Sequence, residues 1–455
     1  MSDPYTDAPL SRHEGSREFR LIELHSSKLP GPIKCTLRTY SFDSDPPQYT
    51  ALSYTWGPKV KPNSIELNKV SFPIGHNLWS FLEEMRLQER FRMYWIDAMC
   101  IEQESLSERN HQVQMMRQIY SNAQSVSIWL GEADRHSTSD MAMDFLSQRQ
   151  QLVTVTAHSW HSSIHYTKAY YDHMFGQTIL RKRSGGNSYY AEAYYDDVTA
   201  QVVSRRAADE TPGYPEAYYS DVTAQIVPGR ASHGTPDHPE AYYDRLTERR
   251  AHKGKSEEFP WTKQDAQAVL QLYNRPYWSR IWIVQEMFLA KALVVFCGSR
   301  QCDWRALEDL NNDLEHLQAT TFPGTVTEFK TSRASKLVRA RLSYHSGNNN
   351  SNHVEHLVSF SDLNLKATNR LDKVYGLWGL VKDGADFDID YDIKPQDLLI
   401  RLMRYTWTHR SRLGDTQNIL GEYAVVMSEA LGIRWSRWEL EKQLVLARLS
   451  MPYTK

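Results

Sequence analysis

Between Tyr94 and Glu132 the chain passes from an apolar run through a polar loop and an amphipathic stretch to a second apolar run. Tyr94, Trp95 and Ile96 close at Asp97, as a buried parallel strand does at its carboxyl end. Ser105 or Ser107 suits the N-cap of the following helix, with Glu108 in its first turn. Val113, Met116, Tyr120 and Ala123 fall at helical spacing and predict its core-facing stripe, while Arg109, Gln112 and Arg117 are left to other faces. Ser125–Leu130 is the second apolar run, closed by Gly131. Together they predict a βαβ unit with a right-handed crossover and parallel strands. Ligands of open parallel sheets sit at the carboxyl ends of strands, which singles out Asp97, Cys100 and Gln103.

The same patterns extend to both sides. Phe19–Leu24 alternates and predicts a strand, with Ile33–Tyr40 as its partner. Tyr49–Gly57 reads as a compact strand, and Ser64–Ile74 as a hairpin turning at Asn68-Lys69. Helices are predicted over His76–Arg90, Thr138–Gln150, Gln264–Tyr273 and then Arg275–Ala290, with Pro276 suited to a first turn. Leu293–Cys297 predicts a strand turning at Gly298. The remainder is helical in pattern: Trp304–Leu317, Ser332–Tyr344, Val354–Leu363, Asp372–Val381 and Pro395–Thr408. Residues 1–18 are polar and predict a disordered leader.

Residues 151–258 break the pattern. Ala-Tyr-Tyr recurs every 24 residues, after Lys168, Glu192, Glu216 and Glu240. Each repeat carries too little apolar surface to offset its ordering entropy, so a duplicated and mostly disordered insertion is expected rather than a solenoid. It divides an ordered domain into 19–150 and 259–300, followed by a mainly helical region over 301–455.

At 455 residues the chain is large enough for one elaborated domain or two. A net charge of −2 gives no electrostatic case for nucleic acid or an anionic membrane. No run of about eighteen apolar residues occurs, and the N-terminus lacks the apolar segment of a signal peptide, so a soluble, cytoplasmic protein is expected. The four cysteines, Cys35, Cys100, Cys297 and Cys302, are scattered and read as reduced core thiols; no zinc-ligand spacing is present. No P-loop or dinucleotide-binding glycine motif occurs, so no cofactor is expected.

Several stretches together resemble the fungal heterokaryon incompatibility (HET) domain family. They are Tyr49-Thr-Ala-Leu-Ser-Tyr-Thr-Trp-Gly57, Trp95-Ile-Asp-Ala-Met-Cys-Ile-Glu-Gln103, Glu108-Arg109 with Gln112-Val113, Val126-Ser-Ile-Trp-Leu-Gly131, and Arg275-Pro-Tyr-Trp-Ser-Arg-Ile-Trp-Ile-Val-Gln-Glu286. Ala367–Leu380 is similar to the helix that often follows that domain. Glu102 departs from the family's usual Asn. The resemblance implies non-self recognition that triggers programmed cell death when incompatible fungal cells fuse. Its partner would be an incompatibility protein, or a second copy through self-association of the domain. The family is distantly similar to Toll/interleukin-1 receptor (TIR) domains, which implies a TIR/flavodoxin-like parallel sheet core with β-hairpin additions.

Some TIR domains cleave NAD with a glutamate on a tryptophan-bearing helix. Trp278, Trp282 and Glu286 are similar to that pattern, and Ser53-Tyr54 to the Ser-Tyr of the TIR first strand. The resemblance therefore implies Glu286 as the catalytic residue and NAD as a candidate substrate. Trp56 or Trp282 would stack on a ring, Gly57 would allow close backbone approach, and Glu286 would face the oxocarbenium-like ribose. The bland alternative has Glu286 as a helix cap or salt-bridge partner. Asp97 could orient a ligand or a loop N–H. Arg109 could pair with Asp97 or Glu108, or meet a phosphate. Cys100 lacks a histidine partner and reads as core. A non-enzymatic self-assembling scaffold and an inactive paralogue stand as the other readings.

Overall fold

In the computed structural model of the protein, the described residues are 3–11, 13, 15–57, 62–88, 93–156, 262–316, 323–346, 360, 363–381, 387–410 and 417–449; all lie within one compact unit. The 24-residue repeats lie outside the described residues, as does nearly all of the helix expected over 354–363.

Nine strands form one mixed sheet: β1 (Glu18–Leu24), β2 (Lys34–Ser41), β3 (Thr50–Tyr54), β4 (Asn63–Leu67), β5 (Val70–Ile74), β6 (Met93–Trp95), β7 (Ser125–Trp129), β8 (Leu293–Cys297) and β9 (Arg300–Asp303). Their order is β5-β4-β2-β1-β6-β3-β7-β8-β9. β6, β3, β7 and β8 are mutually parallel, whereas β1 runs antiparallel to β6, and β9 to β8. The protein is thus mixed α/β, with a parallel block extended on both edges. The expected parallel strands β6 and β7 are parallel, but β3 lies between them. The connection leaving β3 therefore turns toward β6 and the one leaving β7 turns toward β8. Their diverging carboxyl ends form the kind of crevice in which open sheets hold ligands.

The hairpin β4–β5 turns at Asn68 and Lys69, with φ of 49° and 66°. Asn68 is suited to that left-handed backbone and also pairs with both the N–H and the carbonyl of Leu37, tying the hairpin to β2. Two expectations for strands are corrected. β1 is buried along most of its length rather than alternating, because β2 and β6 flank it and chain packs on both faces. β9, which follows the turn at Gly298 (φ 54°), is a strand that periodicity did not reveal.

Helix Leu106–Asn122 starts at Ser105, whose hydroxyl accepts from the Glu108 N–H. Its buried stripe is Gln112, Met115, Met116, Ile119 and Tyr120; Val113, expected in that stripe, is only half-buried. Gln112 is accepted inside because its amide donates to the Glu18 carbonyl at 2.9 Å.

The described residues ahead of β1, in a stretch expected to be disordered, meet the sheet through a buried cation. Arg20, inside β1, donates to the carbonyls of Ala8 (2.5 Å) and Cys100 (3.1 Å) and bidentately to Glu108 (2.6 and 3.0 Å), with Tyr5 against its guanidinium. No window of polar residues shows that an arginine elsewhere will satisfy their backbone.

The Arg275–Ala290 stretch is two pieces rather than one helix. A 3₁₀ turn, Pro276–Ser279, is followed by an extended Arg280 (φ −81°, ψ 141°) and then by helix Ile283–Phe288. The break is made by a parallel bridge to Lys366, whose N–H and carbonyl bond to Ser279 and Ile281. Helix Ile283–Phe288 packs on β3, on helix Leu106–Asn122 and on helix Asp372–Trp378. Helices Pro395–Arg410, Gln417–Ala430 and Arg437–Leu449 pack on one another. No helix among the described residues is long and apolar enough to cross a membrane. All four cysteines are buried with free thiols.

Candidate functional site

β3 carries the site. Its register places Tyr54 beside Trp129 of β7, and Trp129 beside Phe296 of β8, so the three residues form a row at the carboxyl ends. Across the other edge Ala51 pairs with Trp95, so the chain leaves β6 level with Ser53 and turns into the helical segment Asp97–Cys100.

Ser53 is fully buried and its hydroxyl meets two groups: it donates to Glu286 Oε2, in a contact shorter than an ordinary hydrogen bond, and lies 2.8 Å from the Tyr277 hydroxyl. Glu286 itself is 1% exposed. The Arg280 guanidinium lies 3.7 Å from the same carboxylate oxygen and donates to the carbonyl of Tyr54. Burial pushes the Glu286 carboxyl up to about 7, opposed by the charge of Arg280 and the Ser53 hydrogen bond and reinforced by the charge of Asp97. Burial raises Asp97 as well, with Arg280 and the Trp56 indole pulling the other way. Burial, with a contribution from Glu286, also holds the Tyr54, Tyr120 and Tyr277 phenols protonated.

The loop that follows β3 reaches the surface. Trp56 is 37% exposed, and its indole N–H donates to Asp97 Oδ2 at 2.9 Å, which fixes the ring while leaving a face to solvent. Gly57 (φ 75°) continues the loop in a backbone conformation that a side chain would strain. The other oxygen of Asp97 accepts the Ala98 N–H at 2.8 Å, which is the loop role considered for it. Gln103 donates to the Asp97 carbonyl at 2.9 Å. Cys100 is core: its thiol accepts from the Ile96 N–H, and burial pushes it up to about 12.

Two expected site residues are elsewhere. Arg109 meets neither Asp97 nor Glu108. Glu108 is taken by Arg20, and the Arg109 guanidinium lies 4.7 Å from the centre of the Tyr391 ring, in the field of Asp372. Trp282 hydrogen-bonds Asp372 and lies against Gly376. Trp278, in the 3₁₀ turn, donates to the Leu272 carbonyl at 3.0 Å and is core.

Sequence reasoning missed Arg280 and Tyr277. The signal was there for Arg280: six residues separate it from Glu286, which on an unbroken helix sets the two about 240° apart, on different faces. A lone cation and a lone anion in so apolar a stretch can meet only if the helix breaks between them.

The pH dependence follows with a definite sign. Below about 4.5 Glu286 is protonated in both folded and unfolded chains; between about 4.5 and 7 the unfolded chain releases the proton while the fold retains it. This group's contribution to stability is therefore complete below about 4.5 and is lost as pH rises through about 7. The loss is about 3 kcal/mol, since a tenfold change in proton affinity is worth about 1.4 kcal/mol. Urea denaturation of the parent and Glu286→Gln from pH 4 to 8 measures it: the difference between them should change by that amount in that window, and parallel curves would refute it.

Residues 49–206 match the family model described as Heterokaryon incompatibility protein (HET). Ser53, Trp56, Gly57, Asp97 and Arg109 lie within the match; Tyr277, Arg280 and Glu286 lie beyond it. The chain is 35% identical over 147 residues, 29% of its length, to Heterokaryon incompatibility protein 6, OR allele, of Neurospora crassa. It covers 21% of that relative, so the chain spans about a fifth of the length of the curated relative it matches. No solved structure matches the chain.

Proposed function

We propose that this chain works in heterokaryon incompatibility, as a HET-domain signalling protein in non-self recognition that leads to fungal programmed cell death. Its chemistry, in this reading, is cleavage of NAD at a TIR-like site, and its partner an incompatibility protein or a second copy. The observation that carries the chemistry is the placement of Glu286 on Ser53, near the carboxyl end of a central parallel strand whose following loop carries the partly exposed Trp56.

In hydrolysis the bond between ribose C1′ and the nicotinamide nitrogen breaks, its electron pair leaving with nicotinamide. Water then adds to the oxocarbenium-like carbon, giving ADP-ribose and a proton. Ionised Glu286 would stabilise the positive ribose in a dry environment where its charge acts strongly. Trp56 would hold a ring by stacking. With the carboxyl raised to about 7, activity should climb as pH passes through neutrality.

A second reading is favoured by the burial of Glu286 together with its occupied partners. A carboxylate already bonded to Ser53 and facing Arg280 can serve as a brace between β3 and helix Ile283–Phe288. The protein would then act as a non-enzymatic scaffold through self-association. Expression in fungal cells separates the two: the enzyme reading expects cell death with the parent and survival with an equally abundant, folded Glu286→Gln. Undiminished killing by that variant would transfer support to the scaffold.

A further inference from the structure

We propose that Arg280 is the positioning residue of this site: its guanidinium ties Glu286 to the carboxyl end of β3, and the main-chain bridge to Lys366 sets its place. The role rests on Glu286 as the working carboxylate, but its test needs no substrate.

Arg280 is extended between a 3₁₀ turn and a helix, and its side chain reaches the carbonyl of Tyr54 at the end of β3. Nothing local demands that kink. The Lys366 N–H donates to the Ser279 carbonyl at 2.5 Å, and the Ile281 N–H donates to the Lys366 carbonyl at 3.0 Å. Lys366 is in turn steadied by its neighbour, since the Lys373 ammonium donates to the Leu365 carbonyl. The segment ahead of helix Asp372–Trp378 therefore reaches the site through backbone alone.

The guanidinium end is equally constrained. It donates to the Tyr54 carbonyl, lies 3.7 Å from Glu286 Oε2, and its charge acts on Asp97. The groups facing Glu286 are Ser53 and Tyr54 of β3, Tyr120 of helix Leu106–Asn122, Tyr277 of the 3₁₀ turn, Arg280 itself, and Asp97 after β6. Arg280 is the only cation among them. It lies beside Glu286 and its charge also acts on Asp97, so moving it changes both the charge and the orientation that a ligand meets.

The test follows the carbon-13 carboxyl signal of Glu286 in the full chain, identified by its loss in Glu286→Gln. In Arg280→Ala, and in Arg280→Gln, which keeps a donor for the Tyr54 carbonyl, the titration midpoint should rise by about one pH unit or more. Millimolar methylguanidinium should return the Arg280→Ala midpoint toward the parent's value in a saturable way, and potassium chloride at equal ionic strength should not. Lys366→Pro, which removes the N–H that holds Ser279 and also restricts the local backbone, lies outside the site and should raise the midpoint. An unmoved midpoint in Arg280→Gln, or equal reversal by both salts, would overturn the positioning role of Arg280. An unmoved midpoint in Lys366→Pro would overturn the part assigned to the bridge. None of these readings involves NAD, so absence of NAD cleavage would remove the proposed chemistry and leave this result standing.

Discussion

Replacing Glu286 by alanine is expected to lower the unfolding free energy by about 3 kcal/mol at neutral pH, because it opens a cavity and takes away a buried acceptor that two neighbouring groups share. The Arg280 guanidinium would keep the Tyr54 carbonyl but lose the carboxylate 3.7 Å away. The Ser53 hydroxyl would lose its acceptor, and Tyr277 would be left facing a cavity in a dry region. Glu286→Gln keeps the volume and an acceptor for Ser53, so it should cost much less, about 1 kcal/mol. Urea denaturation followed by tryptophan fluorescence measures both. Alanine tolerated as well as glutamine would mean that the carboxylate is not part of a buried network.

The second large effect lies behind the site. Arg341 and Glu308 form an ion pair at 3.5 Å with side chains 2% and 0% exposed. Arg341 also donates to the carbonyls of Met287 (2.8 Å) and Ala290 (3.0 Å), satisfying the C-terminal end of the helix that carries Glu286. Trp304 donates to the same Glu308 oxygen at 2.8 Å and lies under the guanidinium. Arg341→Met should cost about 3 kcal/mol, because a fully buried carboxylate loses its cation while the helix end loses two donors. Adding Glu308→Gln should recover part of that loss, since the stranded charge goes with it. A double variant no more stable than Arg341→Met alone would place the whole cost on the two carbonyls.

How much of this was legible in the chain depended on the range of the determinants. The parallel strands, the Asn68-Lys69 hairpin and the Ser105 cap follow from a few neighbouring residues, and the structure has them. Ser53 and Glu286 were each named through family resemblance, but their meeting is a tertiary contact that no periodicity would have produced. The helix break at Arg280 is written at Lys366, the fate of Arg109 at Tyr391 and Asp372, and the order of the first residues at Arg20. Each is a tertiary contact satisfying a backbone or a charge, which local propensity does not encode. Gln112 illustrates the same limit: a polar residue displaced Val113 from the core stripe because a carbonyl in β1 needed a donor.

The most direct measurement is NAD concentration over time with purified protein tethered at high local density, beside folded Glu286→Gln under the same conditions. Steady loss of NAD with release of nicotinamide from the parent, and none from the variant, is the expected outcome and would locate the chemistry at Glu286. An unchanged NAD level with the clustered parent would contradict it. Glu286 would then stand as the brace between β3 and its helix, and signalling by self-association would become the leading account.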